Sequence, residues 1–344
     1  MGIMKNEIFS EPEVLKNTLN NNLDVIKAIA AEIKQKNITN IETVARGSSN
    51  NAALCFKYAC EIMAGIPVME YHPSITTMYK SEVRLNNNLL IAISQSGKSI
   101  DTLAVLNHSR KNGAITVAVT NDPESPLAKA AHYSLNLACG EELSVASAKS
   151  YIAELLVLYM LAIEISGKDV KAVLYSIPSK IQEVIDRFDE IHLLAERLKD
   201  YENTIILTRG IMQGVGKEIS LKYIECCYNL CHYFSINDFL HGPLSIIDDR
   251  SNVLLIAPDS ELKEDFMDIT LRLKLLGAKV TVISDIKELL HVADDKLEMP
   301  HCNNLLTPSI IYSVAGHLLV NELAYLRGIN PDSPRNMKKL VITK

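Results

Sequence analysis

The turn between Ser94 and Ser99 has the residue types of an anion-binding turn. It carries hydroxyl and amide side chains around Gly97, it follows the apolar run Leu89–Ile93, and a helical pattern begins at Ile100. A strand that ends in such a turn before a helix offers backbone N–H groups, hydroxyls and the positive end of the helix dipole to a negative group. The pattern predicts a cradle for a phosphate, and a polar turn without a ligand is the alternative.

The residues Gly97-Lys98-Ser99 resemble the end of a nucleotide-binding P-loop. That motif also needs a glycine five residues before Gly97, and Ala92 stands there. Without that glycine the loop cannot wrap a triphosphate, so no nucleotide cofactor is expected.

A second set of side chains could move protons. Glu218, Lys222 and Glu225 are spaced i, i+4 and i+7, so they project from one face of a predicted helix. A lysine beside a carboxylate tunes the pKa of that carboxylate, which suits a general base. A solvated stripe of charges is the alternative.

His241 and Lys339 are further candidates for chemistry. His241 stands between Leu240 and Gly242-Pro243, and an imidazole in a fixed loop suits proton transfer near neutral pH. Lys339 lies in a basic tail, where a lysine could meet a carbonyl as an amine nucleophile. A structural histidine and a solvated tail are the alternatives.

The elements that position these residues recur along the chain. The stretches that begin at Val44, Leu89 and Gly113 have counterparts, in the same order, at Leu207, Leu254 and Gly277. All three offsets lie between 163 and 165 residues. Collinear matches at one interval predict two copies of a single α/β domain.

Within each copy, continuous β-rich runs alternate with helical patterns, which predicts a parallel sheet with crossover helices. The runs are Ile41–Ala45, Leu89–Ser94, Ile115–Thr120 and Tyr133–Leu137, then Thr204–Thr208, Val253–Ala257 and Lys279–Ser284. Ligands of such sheets bind at the carboxyl ends of the strands. That rule places Gly47, Ser48 and Ser49 at the same edge as Ser94–Ser99.

The second copy has Pro258-Asp259-Ser260-Glu261 where the first has its serine-rich turn, so anion binding is expected in the first copy only. Five segments are predicted. They are an N-terminal helical extension (1–36), a first domain (37–168), a helical connector (169–199), a second domain (200–328) and a C-terminal tail that closes the site (329–344).

Composition narrows the class of protein. The 344 residues carry a formal charge of −6, which argues against nucleic acid as a main partner. The longest apolar stretch, Tyr151 to Ser166, is interrupted by Glu154 and Glu164 and is shorter than the ~20 residues that cross a bilayer. It predicts a buried helix, and no membrane partner is expected.

Cysteine usage indicates a reducing compartment. The seven cysteines are an odd number without framework spacing, and no signal peptide is visible, so a cytoplasmic protein is expected. Cys227, Cys231 and His232 lie close together on an apparent helical pattern, but no second pair accompanies them. A metal site is not expected.

Five separated motifs carry a family resemblance. They are Ile93–Gly97, Ser144–Lys149, Glu218–Glu225, His241-Gly242-Pro243 and Pro334-Arg335-Asn336. Their order resembles that in double sugar-isomerase (SIS) domain proteins, in particular the isomerase half of glucosamine-6-phosphate synthases, from about Ile41 to the C-terminus. The resemblance implies an α/β fold of two tandem SIS domains, each a flavodoxin-like three-layer α/β/α sandwich around a parallel sheet.

The resemblance also implies roles for individual residues. Gly47, Ser48, Ser49, Ser94, Gln95, Ser96 and Ser99 would bind the sugar phosphate and nearby hydroxyls, and Val145 and Ser147 would line the sugar pocket. Glu225 would shuttle a proton between C1 and C2 with Lys222 and Glu218 beside it, and Lys339 would meet the open-chain carbonyl. His241 would assist ring opening from the neighbouring subunit of a homodimer with shared active sites.

Members of the resembling family have several different activities. Gly2 stands where the synthases have the cysteine of a glutaminase domain, and the SIS region follows almost at once. The expectation is therefore an amino-sugar-phosphate isomerase/deaminase without glutaminase activity, which converts glucosamine-6-phosphate to fructose-6-phosphate and ammonia and needs no cofactor or metal. The alternatives are a fructosamine-6-phosphate deglycase and a sugar-phosphate-binding regulator.

Overall fold

Two parallel β-sheets organise the chain. The computed structural model describes residues 2–83, 85 and 87–339. The first sheet contains β1 (Asn40–Val44), β2 (Val68–Glu70), β3 (Asn88–Ile93), β4 (Ile115–Thr120) and β5 (Tyr133–Asn136). The second contains β6 (Asn203–Thr208), β7 (Leu230–Ser235), β8 (Asn252–Ala257), β9 (Lys279–Ser284) and β10 (Asp295–Glu298).

Helices connect and flank these strands. They are α1 (Ile3–Phe9), α2 (Glu11–Gln35), α3 (Gly47–Ala64), α4 (Ser74–Thr77), α5 (Ile100–Lys111), α6 (Pro126–Ala130), α7 (Lys149–Ile165), α8 (Val170–Leu174), α9 (Ile177–Ile185), α10 (Phe188–Leu198), α11 (Gln213–Cys227), α12 (Ile236–Leu240), α13 (Lys263–Leu275), α14 (Lys287–Val292) and α15 (Thr307–Leu326). Two 3₁₀ turns, Gly210–Met212 and Pro243–Ile246, precede α11 and follow α12.

The strand orders are β2-β1-β3-β4-β5 and β10-β9-β8-β6-β7, with parallel pairing throughout. Numbered within its own sheet, each follows the same order, 2-1-3-4-5. This is the topology that a duplicated α/β domain would have. The predicted fold class, parallel sheets flanked by helices, is confirmed.

The seven predicted runs all form strands. Six of them are central strands, which are covered on both faces and therefore need a continuous apolar sequence, and the seventh, β5, is an edge strand. Every residue of β3, β4 and β8 is buried. Three strands, β2, β7 and β10, are not predicted from the sequence; they are edge strands with exposed positions among their buried ones. Their mixed polarity gives no continuous apolar run.

The chain divides into two compact units. The first unit contains residues 10–142, 149–178 and the tail residues Lys338 and Lys339; the second contains residues 2–9, 143–148 and 179–337. The N-terminal stretch is thus shared, with α1 in the second unit and α2 in the first.

Helix α7 lies in the core of the first unit. The predicted buried helix is confirmed, since every residue from Tyr151 to Ile163 is shielded from solvent. Helix α2 packs on α7 and on β5. Its Thr18 hydroxyl donates to the carbonyl of Leu137, and its Asn22 side-chain amide donates to the carbonyl of Asn136. The N-terminal helix therefore belongs to this sheet's packing.

The predicted helical placement of Cys231 and His232 is wrong. Helix α11 ends at Cys227 because Tyr228 adopts a left-handed conformation, with φ +53°. Cys231 and His232 follow in β7, where consecutive side chains point to opposite faces, and only Cys231 is buried. Among residues 2–83, 85 and 87–339, no group of three His, Cys, Asp or Glu side chains is placed to hold a metal ion.

Within the same described ranges, no helix combines the length and the apolar character that crossing a membrane requires.

Candidate active site

The predicted anion-binding turn joins β3 to α5 in the first unit. Gly97 has φ +62°, and its N–H donates to the carbonyl of Ser94 at 3.0 Å. A Cβ at Gly97 would lie 2.2 Å from Ser125 Oγ and 2.8 Å from Thr120 Oγ1. Glycine is therefore required twice, for the backbone angle and for the close approach to the neighbouring loop. The side chains of Ser94, Gln95 and Ser96 are half-buried around it.

Ser99 is tied to a buried carboxylate that sequence reasoning missed. Its hydroxyl donates to Asp101 Oδ1 at 2.6 Å, and the Arg46 Nε donates to Asp101 Oδ2 at 3.0 Å. Burial alone would raise the pKa of Asp101, but the hydrogen bonds from Ser99 and Arg46 outweigh it and lower that pKa. Arg46 thus neutralises a negative charge beside a turn that is expected to bind an anion.

Gly47, Ser48 and Ser49 begin helix α3 directly after β1. Strands β1 and β3 are parallel neighbours, so this helix start and the Ser94–Ser99 turn lie at the same carboxyl edge of the sheet, as predicted. The Ser49 hydroxyl donates to Glu154 Oε1 at 2.9 Å. Glu154 is a buried residue of α7, and its long-range contact with Ser49 has no local sequence signal.

Lys339 contacts a second buried carboxylate of the first unit. Its ammonium lies 2.7 Å from Glu142 Oε2, and the other oxygen of Glu142 accepts the backbone N–H of Ser150 at 3.0 Å. Burial would raise the pKa of Glu142, but the charge and hydrogen bond of Lys339, with the donors of Ser150, lower it. To act as an amine nucleophile, Lys339 must lose a proton and leave this ion pair.

Glu218, Lys222 and Glu225 form a buried cluster on α11 in the second unit. The Lys222 ammonium lies 3.4 Å from Glu218 Oε1 and 2.6 Å from Glu225 Oε2. The side-chain exposures of Glu218, Lys222 and Glu225 are 0%, 1% and 18%. The alternative of a solvated stripe is wrong, and the predicted common face of the helix is buried.

Electrostatics fix the charge of this cluster. Burial alone would lower the pKa of Lys222, but the carboxylates of Glu218 and Glu225 outweigh it and raise that pKa. Lys222 is therefore a permanent ammonium between two carboxylates. Glu225 is the member that reaches solvent, so it is the one that can exchange a proton with a ligand.

His241 follows the short helix α12 and is exposed. Ser235 caps that helix, accepting the backbone N–H of Asp238, and the His241 N–H donates to the carbonyl of Asp238 at 3.2 Å. Gly242 comes next with φ +152°, an angle that favours glycine. The imidazole is thus presented on a fixed backbone with its ring open to solvent.

Val145 and Ser147, the predicted pocket residues, lie in the irregular segment 143–148 of the second unit. The Val145 N–H donates to the carbonyl of Asp332, and the Leu143 N–H donates to Glu7 Oε1 at 2.6 Å. Both Val145 and Ser147 are half-buried. The segment has no regular secondary structure, and hydrogen bonds to residues far away in the sequence hold it in place.

Comparison with known proteins identifies the first sheet. A family model described as "SIS domain" matches residues 32–164, which include β1 to β5 and most of α7. The chain contains a SIS domain. The predicted anion-binding turn, Ser94–Ser99, lies inside it, whereas Glu218, Lys222, Glu225 and His241 lie beyond the matched residues.

The chain is also homologous to longer enzymes. Glutamine–fructose-6-phosphate aminotransferase (isomerizing) from Thermococcus kodakarensis is 33% identical over 98% of this chain and 57% of its own length. The chain thus spans about half the length of the curated relatives it matches.

Solved structures share the fold of nearly the whole chain. The C-terminal domain of glucosamine-fructose-6-phosphate aminotransferase from Francisella tularensis is 25% identical, with a TM-score of 0.88 over 97% of this chain and 98% of that chain. Glucosamine-6-phosphate deaminase from Thermotoga maritima has a TM-score of 0.80 over 99% of this chain and 100% of that chain. At 23% identity the deaminase shows a shared fold.

Proposed function

We propose that this protein is an amino-sugar-phosphate isomerase/deaminase that converts glucosamine-6-phosphate to fructose-6-phosphate and ammonia. The observation that carries the proposal is the buried Glu218–Lys222–Glu225 cluster, which holds one partly exposed carboxylate against a permanent ammonium. Burying charges is costly unless they are paired, and such arrangements concentrate at sites that move protons. The names of the relatives, an isomerizing aminotransferase and a deaminase, support this substrate class.

In the proposed mechanism the first unit binds the phosphate. The Ser94–Ser99 turn and the start of α3 offer hydroxyls and backbone N–H groups, and the helix dipoles of α5 and α3 favour a dianion there. Arg46 keeps the charge of Asp101 compensated, so the buried carboxylate does not repel the phosphate.

The proton transfer is assigned to Glu225. His241 assists opening of the sugar ring, which leaves an aldehyde at C1 and the amine at C2. Glu225 removes the proton from C2 and returns it to C1, which converts the amine-bearing carbon to an imine. Water adds to that carbon and ammonia leaves, giving the ketose phosphate. Lys339 provides a positive charge or an amine to the carbonyl during these steps.

The test is ammonia release from glucosamine-6-phosphate by the purified chain. General acid–base catalysis contributes ~10²–10⁴-fold in rate, so Glu225→Gln should lower kcat by at least about 10². Glu202→Gln, at an exposed glutamate of the same unit, is the matched control and should keep normal turnover.

Each result has a distinct meaning. Near-normal turnover by Glu225→Gln would contradict the assignment of the base. Sugar-phosphate binding without ammonia release would direct the assay to fructosamine-6-phosphates, the substrates of a deglycase. Tight binding without turnover of either class would support a regulator.

A further inference from the structure

His317 extends the buried cluster of α11 to a second helix. It lies in α15 of the same unit, is fully buried, and places its Nε2 3.5 Å from Glu218 Oε1. The Lys222 ammonium lies 3.4 Å from that same oxygen. One carboxylate oxygen therefore faces an imidazole from one helix and an ammonium from the other.

A glycine allows this approach. Gly316 precedes His317, and a Cβ at that position would lie 2.4 Å from Ile219 Cδ1. Ile219 follows Glu218 on α11, so the two helices pack against each other next to the ionisable pair. A larger residue at position 316 would meet Ile219 and separate the two helices. Gly316 thus lets α15 pack close to α11, and His317 then reaches the cluster.

The formal charges of the cluster favour a hydrogen-bond donor at position 317. Glu218, Lys222 and Glu225 together carry one net negative charge, and a buried imbalance of this kind needs further hydrogen-bond donors. An N–H donated by His317 would offset part of the charge of Glu218. The Lys222 ammonium is then attracted less strongly to Glu218 and stays close to Glu225.

Other charged groups near these helices have partners of their own. On α11, burial raises the pKa of Cys226 to about 12, so this thiol is uncharged near neutral pH. Lys5 of α1 and His192 of α10 contact Glu322, which lies near the C-terminal end of α15, at 3.5 and 2.8 Å. The 3₁₀ turn Gly210–Met212 holds no ionisable side chain.

We propose that His317 is a positioning residue of the acid–base cluster: its ring N–H holds Glu218, so that Lys222 stays on Glu225. The inference rests on the proposed role of Glu225. It adds a residue of another helix, 92 positions further along the chain than Glu225, to a cluster that local spacing places on α11 alone.

Kinetics of two variants test the inference. His317→Leu removes the donor, and kcat should fall by about tenfold or more, a part of the ~10²–10⁴-fold that acid–base catalysis contributes. KM should stay unchanged, because His317 is fully buried and is closed to a ligand in solvent. The acid limb of the kcat profile should move to higher pH, because the Lys222 ammonium is then drawn towards Glu218 and stabilises the catalytic carboxylate less. His317→Gln retains a donor and should restore the wild-type profile.

Ser313→Ala is the matched control, because Ser313 is a buried polar residue one turn earlier on α15. A structural role alone would lower the melting temperature of His317→Leu and leave its acid limb where the wild type has it. That result, or a profile of His317→Gln that matches His317→Leu, would overturn the inference.

A second measurement does not depend on turnover. In ¹⁵N-histidine spectra of the full chain, the His317 signal is the one lost in His317→Gln. We expect its proton on Nε2 and a clear change of the ring shifts in Glu218→Gln. A proton on Nδ1 with shifts that ignore Glu218→Gln would overturn the inference. If the wild type turns over no amino-sugar phosphate, the proposed function fails, and these spectra still decide the role of His317.

Discussion

At the scale of single residues, the behaviour of Lys339 depends on Glu142. The ammonium lies 2.7 Å from a carboxylate that is itself buried, and Ser150 donates both its backbone N–H and its hydroxyl to the same carboxylate. A lysine held in this way presents a positive charge at a fixed position. The pair therefore holds Lys339 within the first unit and orients its amino group.

Glu142→Gln should change stability in a pH-dependent way. The folded pKa of Glu142 is lowered below its ordinary 4.5, so its ionised form stabilises the fold above that pH, and this contribution is lost as the pH falls through the folded pKa. Losing a charged hydrogen bond should cost about 1–3 kcal/mol near pH 7. Denaturant unfolding of both proteins from pH 7 to pH 3 measures the difference, which should shrink below pH 4.5.

The adjacent Glu141 provides the control, because it is an exposed glutamate. Glu141→Gln should unfold like the wild type at every pH. A difference between wild type and Glu142→Gln that stays constant below pH 4.5 would show that the carboxylate does not act through its ionisation.

Contacts between residues of one helix can be predicted from the sequence, whereas contacts between distant residues cannot. Glu218, Lys222 and Glu225 are found by helical spacing, because residues three and four apart share a face. Glu142 with Lys339, and Glu218 with His317, join residues far apart in sequence. No local pattern encodes such contacts, since the tertiary fold alone brings the partners together.

At the scale of elements, the turn after β3 depends on Gly97, and a second glycine allows a matched test. Gly97 and Gly140 have φ +62° and +64°, but a Cβ on Gly140 would meet nothing within 4 Å. Gly140→Ala should cost about 1–2 kcal/mol, the price of a left-handed L-residue. Gly97→Ala should cost about 1–3 kcal/mol more, because its Cβ meets Ser125.

The same two variants separate stability from binding. Calorimetric titration with glucosamine-6-phosphate should show weaker binding by Gly97→Ala and unchanged binding by Gly140→Ala, because only the first distorts the proposed phosphate turn. Equal affinities of both variants would contradict the assignment of this turn to the phosphate.

An arginine–aspartate pair recurs in both units. Arg46 follows β1 and pairs with Asp101 of α5, and Arg209 follows β6 and pairs with Asp265 of α13. The second unit keeps the pair although it has Pro258-Asp259-Ser260 in place of the serine-rich turn. The pair therefore serves to fasten a loop to a helix in each unit. Arg46 fits this structural role.

Strand prediction followed the same physical rule in both sheets. Central strands are buried on two faces and have continuous apolar sequences, so all of them were predicted. The missed strands β2, β7 and β10 lie at sheet edges, where one face can remain polar, whereas the fourth edge strand, β5, was predicted from the run Tyr133–Leu137. Their pairing depends on a neighbour that the local sequence does not specify.

At the scale of the whole molecule, two sheets share one strand order but differ in chemistry. The matched SIS domain contains the serine-rich turn, and the ionisable cluster of α11 follows the first strand of the second sheet. If both sheets descend from one domain, the second has Pro258-Asp259-Ser260 in place of the serine-rich turn and carries the ionisable cluster instead. The shared topology and the recurring arginine–aspartate pair support that duplication.

The exposure of His241 leads to a prediction about assembly. Its ring is open to solvent in the single chain, as expected of a residue that serves the active site of a neighbouring subunit. In a homodimer with shared sites, Glu225→Gln and His241→Asn should each be inactive alone. Co-expressed as a random mixture, they form heterodimers with one intact site, so about a quarter of the wild-type turnover should return.

The control for this mixture is Glu225→Gln combined with the Glu225→Gln/His241→Asn double variant, which contains no intact Glu225 and should stay inactive. Native mass spectrometry establishes that heterodimers have formed. If they form and no turnover returns, His241 serves the site of its own subunit. If the active wild type is monomeric, the shared site is excluded, and the open imidazole of His241 must act on substrate within one chain.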